Sequence, residues 1–300
     1  MSRQQQSHLL LHLIILLWAC TGLIGQQLPW PSEIIVWYRL AIALIMLTII
    51  LHQKKTFHGL LLLNRQEYSL AIAGGLTLAL HWWCFFTSIK WSSVSLGLVC
   101  LSTTPFLTTL MQMILYRKKA PFHELICSMM TITGILIIFN TDLQSTSAII
   151  AGLFSSFLNA LFNIINGRLS RVRNAILISW LQLAAGLLTA SLTLVILKSS
   201  LSDYIPSEGT EILSLLFLGL ICTAMATVGC LWIMKELSPY TVGLSANLEP
   251  VYGIMLAMIV RGEQEVMSEG FYLGAALIFA SVVANTFMIQ RKFQPQKPCA

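Results

Sequence analysis

The 300-residue chain is 56% hydrophobic, only 10% charged and carries a net charge of +6, with a mean hydropathy of +0.78. A soluble domain has about 25% charged residues, so soluble packing has no means of hiding this much apolar surface, and the soluble enzyme and binding-module classes are excluded. The basic excess does not point to nucleic acid, because Lys and Arg stand in short clusters between apolar runs, as the positive-inside rule requires.

Ten apolar runs follow in chain order, at about 8–28, 34–52, 67–89, 94–116, 121–140, 147–167, 175–197, 211–234, 240–260 and 270–290. Each is near the length of about 20 residues that a helix needs to span a bilayer. Turn chemistry separates them: Pro29 and Pro31, Asn64, Ser92–Ser93, Pro121, Asp142, Pro206 and Gly209, Ser238–Pro239, and Gly262. Backbone groups in hydrocarbon must bond within their own segment, and the alternation of barrel strands is absent. The expected fold class is therefore all-α integral membrane, with ten transmembrane helices. The first run lacks a small-residue cleavage site and is expected to stay as the first helix. With the N-terminus inside, 14 basic residues fall in inside segments and three, Lys90, Lys198 and Arg261, outside. This predicts cytoplasmic termini in an inner (plasma) membrane.

The chain also repeats itself. Thr104–Pro105–Phe106 aligns with Glu249–Pro250–Val251 at an offset of 145, which also places Ser93 on Ser238 and Glu124 on Glu269. The expected units are 8–140 and 147–290. Five helices per unit is an odd number, so the units would enter the membrane from opposite sides, the inverted repeat of secondary transporters.

Polar groups within the runs are the candidate site. Glu249 comes about nine residues into its run, roughly 14 Å at 1.5 Å per residue, near the midplane, where a carboxylate is costly and is read as functional. Ser245 and Tyr252, at i−4 and i+3, share its face. Pro250 and Pro105 are expected to kink their helices, Pro250 clashing with the carbonyl of Ala246. Arg39, about 7 Å into the second run, either snorkels to the headgroups or meets a carboxylate, for which its fork is suited. His81 lies in a polar stripe with Thr77, Cys84 and Ser88, amid Trp82, Trp83, Phe85 and Phe86. It reads as a cavity wall or part of an aromatic belt. Asn159, Asn163 and Asn166, with Ser155, line one face of the sixth run, either bonding neighbouring helices or facing water. The seven cysteines have no metal-ligand spacing and there is no phosphate loop, so neither metal nor cofactor is expected.

In order and spacing these residues resemble the drug/metabolite transporter (DMT) superfamily, as an EamA-type ten-helix permease. The resemblance is carried by Trp18, by Tyr38–Arg39, and by Lys90–Trp91–Ser92–Ser93–Val94–Ser95 leading into Thr104–Pro105. In the second half it is carried by Leu237–Ser238–Pro239, Glu249–Pro250 and Gly262–Glu263. The first half departs from the pattern, with Arg117–Lys118–Lys119 where many members have a glycine and a glutamate. The resemblance implies a secondary transporter of a small-molecule substrate, with export of amino acids or similar amphipathic metabolites as the expected activity. Glu249 would carry a coupling proton or bind a substrate amine. A membrane-embedded lipid-modifying enzyme is the alternative, but it needs a dense polar cluster at one membrane face that the sequence does not offer.

Overall fold

The computed structural model describes residues 3–116, 122–141, 145–169, 175–233, 245, 248–262 and 268–292. Among them there is helix and no strand. The helices are α1 (Arg3–Gln27), α2 (Ser32–Gln53), α3 (Arg65–Trp91), α4 (Val94–Leu101), α5 (Thr104–Tyr116), α6 (Phe122–Thr141), α7 (Thr146–Leu169) and α8 (Ala175–Leu197). There follow α9 (Gly209–Leu216), a π-helical stretch (Phe217–Met225), α10 (Ala226–Ile233), α11 (Glu249–Arg261) and α12 (Glu269–Lys292). Seven helical stretches among the described residues are long and apolar enough to cross a membrane: Gln6–Gln27, Ser32–Gln53, Arg65–Trp91, Val94–Leu115, Thr146–Leu169, Ala175–Leu197 and Gly209–Ile233. The chain is a multi-pass membrane protein.

Local sequence explains several helix ends. Asn64 caps α3 through a capping box, its Oδ1 accepting from the Glu67 amide at 2.8 Å while Glu67 Oε2 accepts from the Asn64 amide at 2.8 Å. Ser93 caps α4 by accepting from the Leu96 amide at 3.1 Å. At the other end of α3, Lys90 Nζ donates to the carbonyls of Gln26 and Leu28, holding a cation at the negative end of α1.

Reciprocal contacts reveal a local two-fold relation between the halves. Trp37 of α2 donates its indole N–H to Ser191 Oγ of α8 at 3.0 Å, and Trp180 of α8 donates to Thr48 Oγ1 of α2 at 2.8 Å. Both members of this pair are related by an offset of 143. A Cβ on Gly75 would meet the Gln182 carbonyl and the Ala185 Cβ, while one on Gly219 would meet the Arg39 carbonyl and the Ile42 Cβ. Those contacts exchange under offsets of 143 to 144. Gly134 of α6 faces the Gly274 carbonyl and Ile278 of α12, and Gly274 faces the Gly134 carbonyl and Ile138. Here the offset is 140, so the last helix of each half is shifted from the 145 that the Glu124–Glu269 alignment implies. Along both interfaces one partner's numbers rise as the other's fall, so α2 and α8, and α6 and α12, run antiparallel.

The glycine contact between α6 and α12 is a backbone approach with no room for a methyl group. A Cβ at Gly134 or Gly274 would lie 2.6 Å from the opposing carbonyl oxygen. We expect Gly134→Ala and Gly274→Ala each to lower stability by about 1–3 kcal/mol, and by similar amounts because the contact is reciprocal. Thermal unfolding in detergent would check this; an unchanged midpoint in both would mean that the two helices are not in backbone contact.

The two prolines act otherwise than as interior kinks. The fourth run is interrupted at Ser102–Thr103, and Pro105 is the second residue of a new helix, α5. Pro250 likewise stands in the first turn of α11. In a first turn the missing N–H has no partner to lose. The interruption is satisfied locally: the Cys100 carbonyl accepts from the Thr103 amide (3.1 Å), Thr103 Oγ1 (2.7 Å) and Ser156 Oγ of α7 (2.6 Å). Ser102 Oγ bonds the Val99 carbonyl at 2.6 Å. The same backbone pattern recurs at an offset of 145: Thr103 N to Cys100 O and Leu107 N to Thr103 O in the first half, Leu248 N to Ser245 O and Tyr252 N to Leu248 O in the second. Ala246, whose carbonyl was expected to clash with Pro250, lies outside the described residues.

Candidate functional site

Arg39 is the centre of the candidate site. It is only 2% exposed, which removes the snorkelling alternative. Its guanidinium lies 3.8 Å from the Trp82 ring centroid and 5.9 Å from that of Phe86, both on α3. Its Nε donates to Thr223 Oγ1 at 2.5 Å and its Nη2 to the Cys222 carbonyl at 3.4 Å. A cation in hydrocarbon needs such company: hydrogen-bond acceptors for its N–H groups and an aromatic face for the rest of its charge.

Both acceptors come from the π-helical stretch. Thr223 is fully buried, and its hydroxyl donates to the Leu218 carbonyl five residues back at 2.7 Å, leaving an acceptor position for Arg39. π-Helical segments are frequent at functional sites, and here the nine-residue π stretch presents a hydroxyl and a carbonyl to one guanidinium. Gly219 allows the approach, since a Cβ there would lie 2.6 Å from the Ile42 Cβ. Cys222 also donates its thiol to the Leu17 carbonyl of α1 at 3.3 Å, tying a fourth element to the cluster.

Glu249 is the first residue of α11 and is half-buried. Its carboxylate and the Arg39 guanidinium act on each other electrostatically. Among the described residues they form no salt bridge within 4.0 Å, so the interaction between the two groups is electrostatic and not a contact ion pair. Thr104, the counterpart of Glu249 in the first half, is 7% exposed, and its hydroxyl has no hydrogen-bond partner among the described residues.

The remaining candidates separate into groups. His81 is near enough to feel the Arg39 charge, but its Nδ1 is engaged with Ser155 of α7, 3.0 Å from the carbonyl and 2.8 Å from Oγ. Ser155 Oγ in turn donates to the His81 carbonyl at 3.0 Å. Together with Ser88 Oγ on the Ala148 carbonyl at 2.7 Å, this makes the α3 stripe a helix–helix seam. Tyr252 turns to α1, its Oη 3.4 Å from His12 Nδ1. Ser245 is half-buried and its carbonyl receives the Leu248 amide. The asparagine face of α7 splits: Asn166 is buried and accepts from Gln182 Nε2 at 2.7 Å, Asn159 is half-buried and Asn163 is exposed. No contact joins Asn159 or Asn163 to Arg39 among the described residues.

Sequence reasoning missed Thr223, Cys222 and Gln182. Under the local two-fold, Gln182 is the residue equivalent to Arg39, and it too is buried, at 1% exposure. The available signal was a polar residue seven positions into the apolar helix of each half.

Comparisons with known proteins agree on the architecture. The family model described as EamA-like transporter family matches residues 6–140 and 146–287. A solved structure described only as "Crystal structure of protein" aligns over 96% of this chain and 99% of its own, with a TM-score of 0.66 and 16% identity. At that identity the likeness concerns the fold. No curated protein matches the chain.

Proposed function

The chain belongs to the EamA-like transporter family, and from that premise we propose that it is a ten-helix secondary carrier exporting a small amphipathic metabolite, such as an amino acid, by alternating access. Its units would be 8–140 and 147–290, inverted about an axis in the membrane plane. The antiparallel, reciprocal contacts of α2 with α8 and of α6 with α12 support the inversion. A two-fold that exchanges two antiparallel spanning helices is perpendicular to both. The proposed location is an inner (plasma) membrane with cytoplasmic termini, from the distribution of Lys and Arg.

The observation that carries the proposal is the unclosed pair of Arg39 and Glu249. The two groups come from different halves, and Glu249 starts the proline-bearing helix α11; carriers of inverted-repeat architecture place their substrate sites at the interface of the repeats. A ligand with both an ammonium and a carboxylate satisfies both charges. Glu249 would take the ammonium, or the coupling proton in the empty carrier.

Counterflow tests this reading. Proteoliposomes preloaded with unlabelled metabolites and diluted into tracer should show saturable, trans-stimulated uptake of the true substrate. A pH gradient should change its rate if a proton is coupled. Flux that neither saturates nor responds to trans substrate would indicate a channel and overturn the proposal.

A further inference from the structure

At the end of the bundle where α1 stops and α2 starts lies a cavity of about 540 Å³, outside the Arg39–Glu249 site. Its volume falls within the range of small-molecule sites, about 300–1,000 Å³. Three indoles and a phenol line it: Trp30, Trp83, Trp91 and Tyr204. It also has one acid, Glu33, and one base, Lys90.

The wall is built rather than accidental. Trp30 is buried at 6% exposure, its ring 5.5 Å from that of Tyr38. Tyr38 Oη donates to the Tyr204 carbonyl at 3.2 Å and so holds the connection after α8 in place. Glu33 receives Ser199 Oγ on Oε1 at 2.7 Å. That bond fixes the carboxylate and leaves Oε2 without a hydrogen bond among the described residues. Lys90 directs its ammonium to two main-chain carbonyls at the end of α1, leaving one of its three N–H donors. Of the two lining charges, only the acid offers a whole acceptor oxygen, Oε2, to a cationic ligand. Aromatic faces around a carboxylate recognise organic ammonium groups.

We propose that this cavity is a second binding site, specific for organic ammonium compounds with an apolar body. It is built on Glu33 with Trp30, Trp83, Trp91 and Tyr204. The proposal rests on the carrier reading for its place on a transport route, where it would be an outer station. Its chemistry stands on the cavity alone.

The test is equilibrium binding to the full-length protein in detergent, followed by calorimetry and by the fluorescence of the lining tryptophans. The probes are phenethylammonium, its uncharged analogue 2-phenylethanol and its anionic analogue 3-phenylpropionate. Phenethylammonium should bind saturably, at least about tenfold more tightly than the alcohol, a step of about 1.4 kcal/mol. Glu33→Gln should remove that preference. Trp91→Ala, at a position 61% exposed and thus removable without touching the core, should weaken binding several-fold. Absence of saturable binding, an affinity unaffected by Glu33→Gln, or a preference for 3-phenylpropionate would each overturn the proposal. Counterflow that fails while Glu33-dependent binding persists would sink the carrier reading and leave this site standing.

Discussion

Glu249→Gln leaves a folded, membrane-inserted protein in which counterflow is about 100-fold slower and no longer responds to a pH gradient. The carboxylate stands at the start of α11, half-buried, and interacts electrostatically with Arg39 without a contact ion pair. A glutamine keeps the size and hydrogen-bonding capacity but accepts no proton and attracts no ammonium. A hydrogen bond to a charged group is worth about 1.5–3 kcal/mol, and 2.7 kcal/mol corresponds to about two decades in an equilibrium constant. The fold should tolerate the change, because removing an ionised side chain from hydrocarbon relieves a cost. Reconstituted wild-type and mutant protein, matched by size-exclusion profile and thermal midpoint, should be compared in counterflow at two values of internal pH. Wild-type rates and pH response in the mutant would remove Glu249 from the mechanism.

The second large effect concerns Arg39. Arg39→Met keeps most of the packing stem but deletes the donors to Thr223 and Cys222 and the charge beneath Trp82. It also leaves Glu249 without its opposite charge. Removing one partner of a buried ion pair costs about 3–5 kcal/mol; because these two charges are not in contact, we expect about 2–4 kcal/mol. Combining it with Glu249→Gln should recover part of the loss, as coupling between sites that share an interaction requires. Arg39→Lys restores the charge and the cation–π contact but lacks the fork. It should recover stability more than transport. Equal recovery of both would show that only the charge matters at this position. The readouts are detergent unfolding for stability and counterflow for rate, on all four proteins.

Much of this architecture is legible in the apolar runs, because a bilayer enforces a length and an internal hydrogen-bond closure that few soluble helices obey. Arg39 and Glu249 also stand out, since a charge in such a run is expensive wherever its partner lies. What the sequence hides is how polar groups are paid off. The α3 stripe of Thr77, His81, Cys84 and Ser88 looks like a cavity wall by spacing, yet His81 and Ser88 meet α7 through Ser155 and the Ala148 carbonyl. That pairing depends on which helix packs against α3, something no one-dimensional pattern carries. The π turn is invisible for the same reason: Phe217–Met225 has the composition of any apolar helix, and the acceptors it presents are matched by an arginine more than 180 positions away. Hydropathy places Pro105 in mid-run because the fourth run is continuous across Ser102–Thr103, where α4 ends and α5 begins.

The exchanged tryptophan hydrogen bonds between α2 and α8 carry one more consequence. When two halves of a carrier trade shapes, a contact between non-equivalent helices must become its mirror counterpart. A contact sitting on the exchange axis becomes itself. Trp37–Ser191 turns into Trp180–Thr48, and the sum of the two is the same whichever side of the membrane is open. In the proposed alternating-access cycle the α2–α8 seam would be indifferent to the direction of opening and would serve as a fulcrum. The energetic choice between the two openings would then fall on pairs lacking such a twin, above all Arg39, whose equivalent position is held by the uncharged Gln182.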